Sequence, residues 1–267
     1  LLQYHFFKIR CADNSMSALL WNEPPRQLCI SRSEIHVWRL DLNTINCPKD
    51  LGSILSYEEL KRVKSLIFQC DRYRYQVTHH MKRTILANYL SCDPKCLLFE
   101  IGKQGKPFIT NLQNFLSIQF NISHSYNLIL IAITLKYPIG IDVEYHNKKI
   151  PLDKSGKIVF SPLEKVFFSL LKCHQEKEKA FFRCWTRKEA YLKAKGIGLT
   201  VDLASISIDL NEFPVRDELK ILTPEKEEAI PCKFIPIDMD SSYITAVVAT
   251  LFFQKHLSYF DAKYFYL

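Results

Sequence analysis

The stretch Leu128-Ile129-Leu130-Ile131-Ala132-Ile133-Thr134-Leu135, followed by Lys136-Tyr137-Pro138 and then Ile139-Gly140-Ile141-Asp142-Val143-Glu144, decides how the chain is organised. The run 128–135 is continuously apolar, the pattern of a strand covered on both faces rather than one alternating between core and water. It falls far short of the roughly 20 residues that a membrane-spanning helix needs. Ile139 to Glu144 alternates and reads as the next strand. The short connection predicts that the two form a hairpin, with helix as the other reading of so brief an apolar run.

Toward the N-terminus, Ser117–Ile122 and Leu97–Ile101 read as strands on either side of the turn-rich Gly102-Lys103-Gln104-Gly105-Lys106-Pro107. A helix is predicted from about Asp71 to Leu90, with Val77, Met81, Ile85 and Leu86 on one face and Asp93-Pro94 ending it. Ser56-Tyr57-Glu58-Glu59 is a capping box that opens a helix, and Glu34–Leu42 alternates as a strand. Toward the C-terminus, Ser161-Pro162-Leu163-Glu164 is a second capping box with proline at the first helical position. A long helix follows from about Lys177 to Lys195 and stops at Gly196. Ser205–Leu210, Cys232–Ile237 and Tyr243–Leu251 are three further strand candidates. Each half therefore holds helices and several strands, which predicts an α+β fold of two lobes, 1–138 and 139–267, joined near 136–140. No internal repeat is visible in the residues themselves.

The 267 residues, 48% hydrophobic and 24% charged, have an ordinary globular balance, and 13% aromatic content argues against disorder. A formal net charge of +8 favours an acidic partner without choosing among nucleic acid, anionic membrane, polyphosphate and acidic protein. The nine cysteines include no CxxC pair, and they read as reduced thiols of a cytoplasmic protein. The opening LLQYHFFKIR has too short an apolar core for a signal peptide, and the absence of an initiator methionine suggests a trimmed or partial chain. P-loop, GxGxxG and HExxH motifs are absent from the sequence.

Three stretches can carry chemistry. On a strand, Asp142 and Glu144 project to one face while Ile141 and Val143 face the other. Two adjacent carboxylates repel unless a positive charge sits between them, which a hard cation such as magnesium would supply, while an exposed acidic strand end is the plainer reading. Trp185, Glu189 and Lys193 form one stripe on a helix, either a surface pair with a supporting tryptophan or a third metal carboxylate with a phosphate-binding lysine. In Phe120-Asn121-Ile122-Ser123-His124-Ser125, the hydroxyls and imidazole can bind phosphate or serve structure. They do not make a Ser–His catalytic pair, since neighbours on a strand point apart. Lys61, Arg62, Lys64, Arg72 and Arg74 form a basic cluster that suits a phosphate-binding helix pair as well as a nucleic-acid surface.

Taken in order, GKP at 105–107, FNISHS at 120–125, GIDVE at 140–144 and WTRKEAYLKAKGIGL at 185–199 resemble the motifs of the Sfp-type 4′-phosphopantetheinyl transferases. The resemblance covers about 56 to 250, leaving the first 30 or so residues and the tail after 252 unexplained. It implies two similar lobes in a pseudo-twofold arrangement with coenzyme A in the cleft between them. It implies an enzyme that moves the phosphopantetheine arm of coenzyme A to a serine of an apo acyl or peptidyl carrier protein, releasing 3′,5′-ADP. Asp142, Glu144 and Glu189 would hold a magnesium ion on the pyrophosphate, and Lys193 would sit against the same group. Ser123 and His124 would contact the nucleotide's phosphates, Lys106 would lie near the adenine and 3′-phosphate, and Arg62 would reach the 3′-phosphate, with Lys61 or Lys64 as alternatives. Glu189 is the expected base and Lys193 the residue that stabilises the leaving group. The carrier is expected to be acidic and the enzyme monomeric, with no nucleic-acid or membrane partner. Non-enzymatic binding of coenzyme A or nucleic acid, and metal-dependent hydrolysis of coenzyme A, are the competing readings.

Overall fold

The computed structural model describes residues 21–146, 152–210, 232–235, 237, 239, 241–250 and 256–265. In chain order these form β1 (Glu34–Asp41), α1 (Tyr57–Ser65), α2 (Gln69–Leu90), β2 (Phe99–Ile101), β3 (Pro107–Ile109), β4 (Ile118–Ser125), β5 (Leu128–Leu135) and β6 (Ile139–Tyr145). There follow α3 (Leu152–Val159), α4 (Pro162–Leu170), α5 (His174–Lys195), β7 (Cys232–Ile235), β8 (Tyr243–Thr250) and β9 (His256–Asp261). The predicted α+β class is what this order shows.

Two sheets carry the fold, one with strand order β4-β5-β1-β9 and one with order β6-β8-β7, beside the short β2-β3 hairpin. All eight residues of β5 are buried, as its apolar run predicts, because each face of its sheet is covered. Trp38, Ile129, Ile131 and Phe120 pack with Val77, Met81 and Ile85 of α2. On the other face, Ile35, Val37, Leu128 and Leu130 meet Ile139, Ile141 and Val143 of the second sheet. The far face of that sheet packs Val248 and Phe234 with Phe181 and Leu192 of α5. The layers therefore run helix, sheet, sheet, helix.

The predicted hairpin of β5 and β6 does not form. β5 pairs with β4 and β1, while β6 pairs antiparallel with β8 in the other sheet. The chain leaves the first sheet at Lys136, whose φ is 67° and whose N–H donates to Ser117 O at 2.7 Å. Side chains join the two sheets instead. Ile141 N–H donates to Asn121 Oδ1 (2.9 Å), Val143 N–H to Ser123 Oγ (3.4 Å) and Tyr145 N–H to Ser125 Oγ (3.0 Å). Alternate residues of β4 thus satisfy the edge of β6 that a neighbouring strand would otherwise occupy.

The predicted strand at Ser205–Leu210 is also absent. Residues Leu203–Ser205 form a 3-10 turn capped by Asp202, and the backbone beyond it is held by side chains: Ile208 N–H donates to Glu164 Oε1 (2.8 Å), Arg183 to Leu210 O (2.8 Å) and Arg187 to Asp209 O. The predicted strands at 232–237 and 243–251 form within the described residues, and residues 1–20 and 251–255 lie outside them.

The structure contains a repeat that the sequence does not display. Helices α1 and α4 are each 9 residues long, open on Ser56 and Ser161, and carry complete capping boxes with Glu59 and Glu164. Helices α2 and α5 are each 22 residues long and end on left-handed residues, Ser91 and Gly196. Both capping glutamates are buried and bind a cation of the long helix, Glu59 with Arg83 Nε at 2.6 Å and Glu164 with Lys188 Nζ at 2.6 Å. One constant shift in numbering carries each member of the first set to its counterpart. The strand order β4-β5-β1 likewise corresponds to β7-β8-β6. β9 lies outside this correspondence and pairs parallel with β1, so residues after 255 join the sheet built by the first part of the chain.

Candidate active site

β6 approaches α5 more closely than any side chain allows. A Cβ at Gly140 would lie 1.9 Å from Ala190 O and 2.5 Å from Ala194 N. With Gly140 against the helix, alternation turns Asp142 and Glu144 to the same side, where the stripe Trp185, Glu189 and Lys193 meets them. These five residues, with Ile122, Ser123, His124 and Leu199, line a cavity of about 320 Å³.

Lys193 Nζ donates to Asp142 Oδ1 at 2.6 Å and to Ser123 Oγ at 3.0 Å, and the Ser123 hydroxyl donates to the same Asp142 oxygen at 2.8 Å. Glu144 accepts from Trp185 Nε1 (3.2 Å) on one oxygen and from the Ser125 hydroxyl (3.0 Å) on the other. Asp142 Oδ2 and Glu189 Oε1 are buried and have no hydrogen-bond partner. Burial pushes the Asp142 carboxyl up, with Lys193 pulling it partly back. Burial and then the charges of Asp142 and Glu144 raise Glu189. His124 is exposed at the end of β4, and partial desolvation together with the neighbouring cations Arg74 and Lys193 pushes its imidazole down.

Three carboxylates face one lysine here, so the cavity is short of positive charge. The two orphaned oxygens and the raised carboxyls fit a hard divalent cation, which prefers carboxylate oxygen. Among the described residues, no three acidic, histidine or cysteine side chains are already gathered into a coordination set.

Six of the residues expected at the site, Ser123, His124, Asp142, Glu144, Glu189 and Lys193, line this cavity. Arg62 does not, and is exposed on the last turn of α1. Lys106 lines a neighbouring cavity of about 330 Å³ between the β2-β3 hairpin, β4 and the end of α5. The sequence reading missed that Ser125 and Trp185 orient Glu144. The alternation of Asn121, Ser123 and Ser125 along β4 was the available signal for Ser125; nothing comparable marked Trp185 as a donor.

Two family models match the chain: "4′-phosphopantetheinyl transferase, N-terminal" over residues 49–136 and "4′-phosphopantetheinyl transferase superfamily" over residues 138–247. Among curated proteins, the 4′-phosphopantetheinyl transferase HetI of Nostoc sp. is 36% identical over 182 residues, 67% of this chain and 76% of HetI. A 4′-phosphopantetheinyl transferase of Bacillus subtilis is 31% identical over 196 residues, 73% of this chain and 82% of that protein. The Sfp transferase of the same species is 29% identical over 198 residues, covering 74% and 83%.

Proposed function

Because the chain belongs to the 4′-phosphopantetheinyl transferase superfamily, we propose that it transfers the phosphopantetheine arm of coenzyme A to a serine of an apo carrier protein and releases 3′,5′-ADP. The observation that carries this reading is the cavity in which Asp142, Glu144 and Glu189 meet Lys193 and Ser123. In this reading the coenzyme A pyrophosphate enters that cavity. Lys193 binds its oxygens, Ser123 and His124 bind phosphate from β4, and Arg62 reaches the 3′-phosphate from α1.

Magnesium would be held by Asp142, Glu144 and Glu189, and when bound supplies charge neutralisation and polarisation at the phosphorus. The carrier serine Oγ attacks the phosphorus that bears the pantetheine arm, and the bond from that phosphorus to the bridging oxygen breaks. The serine proton passes to Glu189, the carboxylate of α5 that faces the cavity. Lys193 stabilises the charge on the departing 3′,5′-ADP. Positioning and neutralisation do most of the work in such a transfer.

The repeated strand and helix-pair arrangement, and the meeting of the two family-model matches near residue 137, support two lobes in a pseudo-twofold arrangement with the cleft at the β4–β6 seam. Both halves of the chain line the site, β4 from the first and β6 and α5 from the second, which suits a monomer. No helix among the described residues is long and apolar enough to cross a membrane; the cytoplasmic placement is proposed from the cysteines, which read as reduced thiols. The net charge of +8 suits an acidic carrier.

Chromatographic measurement of 3′,5′-ADP tests this function. Release is expected only when coenzyme A, magnesium and an apo carrier protein are all present. Release without any carrier would favour hydrolysis of coenzyme A, and no release with every carrier tried would contradict transfer.

A further inference from the structure

Lys106 is a cation without a carboxylate. Its ammonium donates to Ile139 O at 2.9 Å and Ala194 O at 3.3 Å, and among the described residues no acidic one lines the cavity around it. Among the described residues, the only other charged side chain there is Lys195. Ala194 O is one of the final carbonyls of α5. The N–H groups of Gly196 and Ile197 go to Lys193 and Leu192, which leaves Ala194 O to Lys106. A cation at this place caps the helix and meets the negative end of its dipole. Ile139, the other acceptor, opens β6 one residue before Gly140. The ammonium therefore clamps the junction at which β6 and α5 make backbone contact, from the hairpin turn Gly105-Lys106-Pro107 of the other half of the chain.

β6 carries Asp142 and Glu144, and α5 carries Glu189 and Lys193. We propose that Lys106 is a positioning residue for the transfer: it acts on the reaction by holding β6 and α5 at the separation that faces these two pairs across the cavity, and not by contacting a phosphate of coenzyme A. This rests on the transferase reading above. Burial lowers the Lys106 ammonium to about 8, so the clamp loosens in mild alkali, where an arginine would remain charged.

The test compares coenzyme A with 3′-dephospho-coenzyme A as donor to one purified apo carrier protein, for the wild type, Lys106→Met and Lys106→Arg. A positioning role predicts that Lys106→Met lowers kcat/KM for both donors by the same factor, roughly 10- to 100-fold, the size expected of a misplacement of about 1 Å. Lys106→Arg is expected to recover much of the Lys106→Met loss at pH 7 and to lose less activity than the wild type between pH 7 and 9. Selective loss with coenzyme A, so that Lys106→Met no longer distinguishes the two donors, would show a 3′-phosphate contact and overturn the proposal. Unchanged rates with both donors would overturn it too. A wild type that transfers from neither donor would contradict the transferase reading instead. If Lys106→Met does not fold, the donor ratio and pH profile of Lys106→Arg against the wild type decide the matter alone.

Discussion

Gly140 fixes the site by having no side chain. The 1.9 Å separation between a Cβ added at this position and Ala190 O involves helix backbone, which cannot rotate aside. Gly140→Ala is expected to lower the unfolding free energy by about 3 kcal/mol or more, at the upper end of overpacking costs, as measured by urea denaturation. Asp142 has a different role: it is buried, holds Lys193 on one oxygen and leaves the other orphaned. Asp142→Asn keeps the shape and removes the charge, and transfer is expected to fall roughly 100-fold or more, as for loss of a group that organises charge in a transition state. A variant within twofold of the wild type would remove Asp142 from the site. At this scale the sequence was most legible, because strand and helix periods alone place Asp142 beside Glu144 and Glu189 beside Lys193. The partners of Lys106 were not legible, since they are carbonyls that any residue could supply.

Among the elements, the capping boxes do more than start helices. Glu59 caps α1 and also binds His79, Lys82 and Arg83 of α2 at 2.8, 2.8 and 2.6 Å. Burial alone would raise its carboxyl, but the hydrogen bonds from His79 and Lys82 outweigh it and hold the group well below 4.5. A carboxyl lowered on folding contributes stability that is present above the unfolded value and lost as pH falls through the folded one. Glu59→Gln is therefore expected to cost about 3–5 kcal/mol at neutral pH, the range for breaking a buried pair. The gap from the wild type should narrow as pH drops below 4.5 in denaturant titrations, and a gap independent of pH would contradict this account. Both boxes and the long helices were readable because caps and periodicity are local. The partner of β6 was not, because an alternating strand does not name its neighbour, and a connection as short as Lys136-Tyr137-Pro138 can leave a sheet as well as fold back into it. The repeat escaped notice because it survives in a few residues, such as Ser56 with Ser161 and Glu59 with Glu164, while the faces around them differ.

Across the whole molecule, the site sits where β4 of one sheet is stitched to β6 of the other, so residues from both parts of the chain meet there only after both have folded. Magnesium that binds the carboxylates should stabilise the fold by linkage, raising Tm by roughly 2–4 °C for each kcal/mol of binding. Differential scanning fluorimetry should show this rise for the wild type and not for Asp142→Asn. An equal rise in both would place the ion elsewhere. Transfer of phosphopantetheine to a carrier serine is read directly from the intact mass of apo carrier proteins incubated with the enzyme, coenzyme A and magnesium. A gain of about 340 Da is expected, the mass that this phosphoryl transfer adds, abolished by EDTA and by replacing the acceptor serine with alanine. An unchanged mass on every carrier, with coenzyme A still bound by the protein, would contradict it.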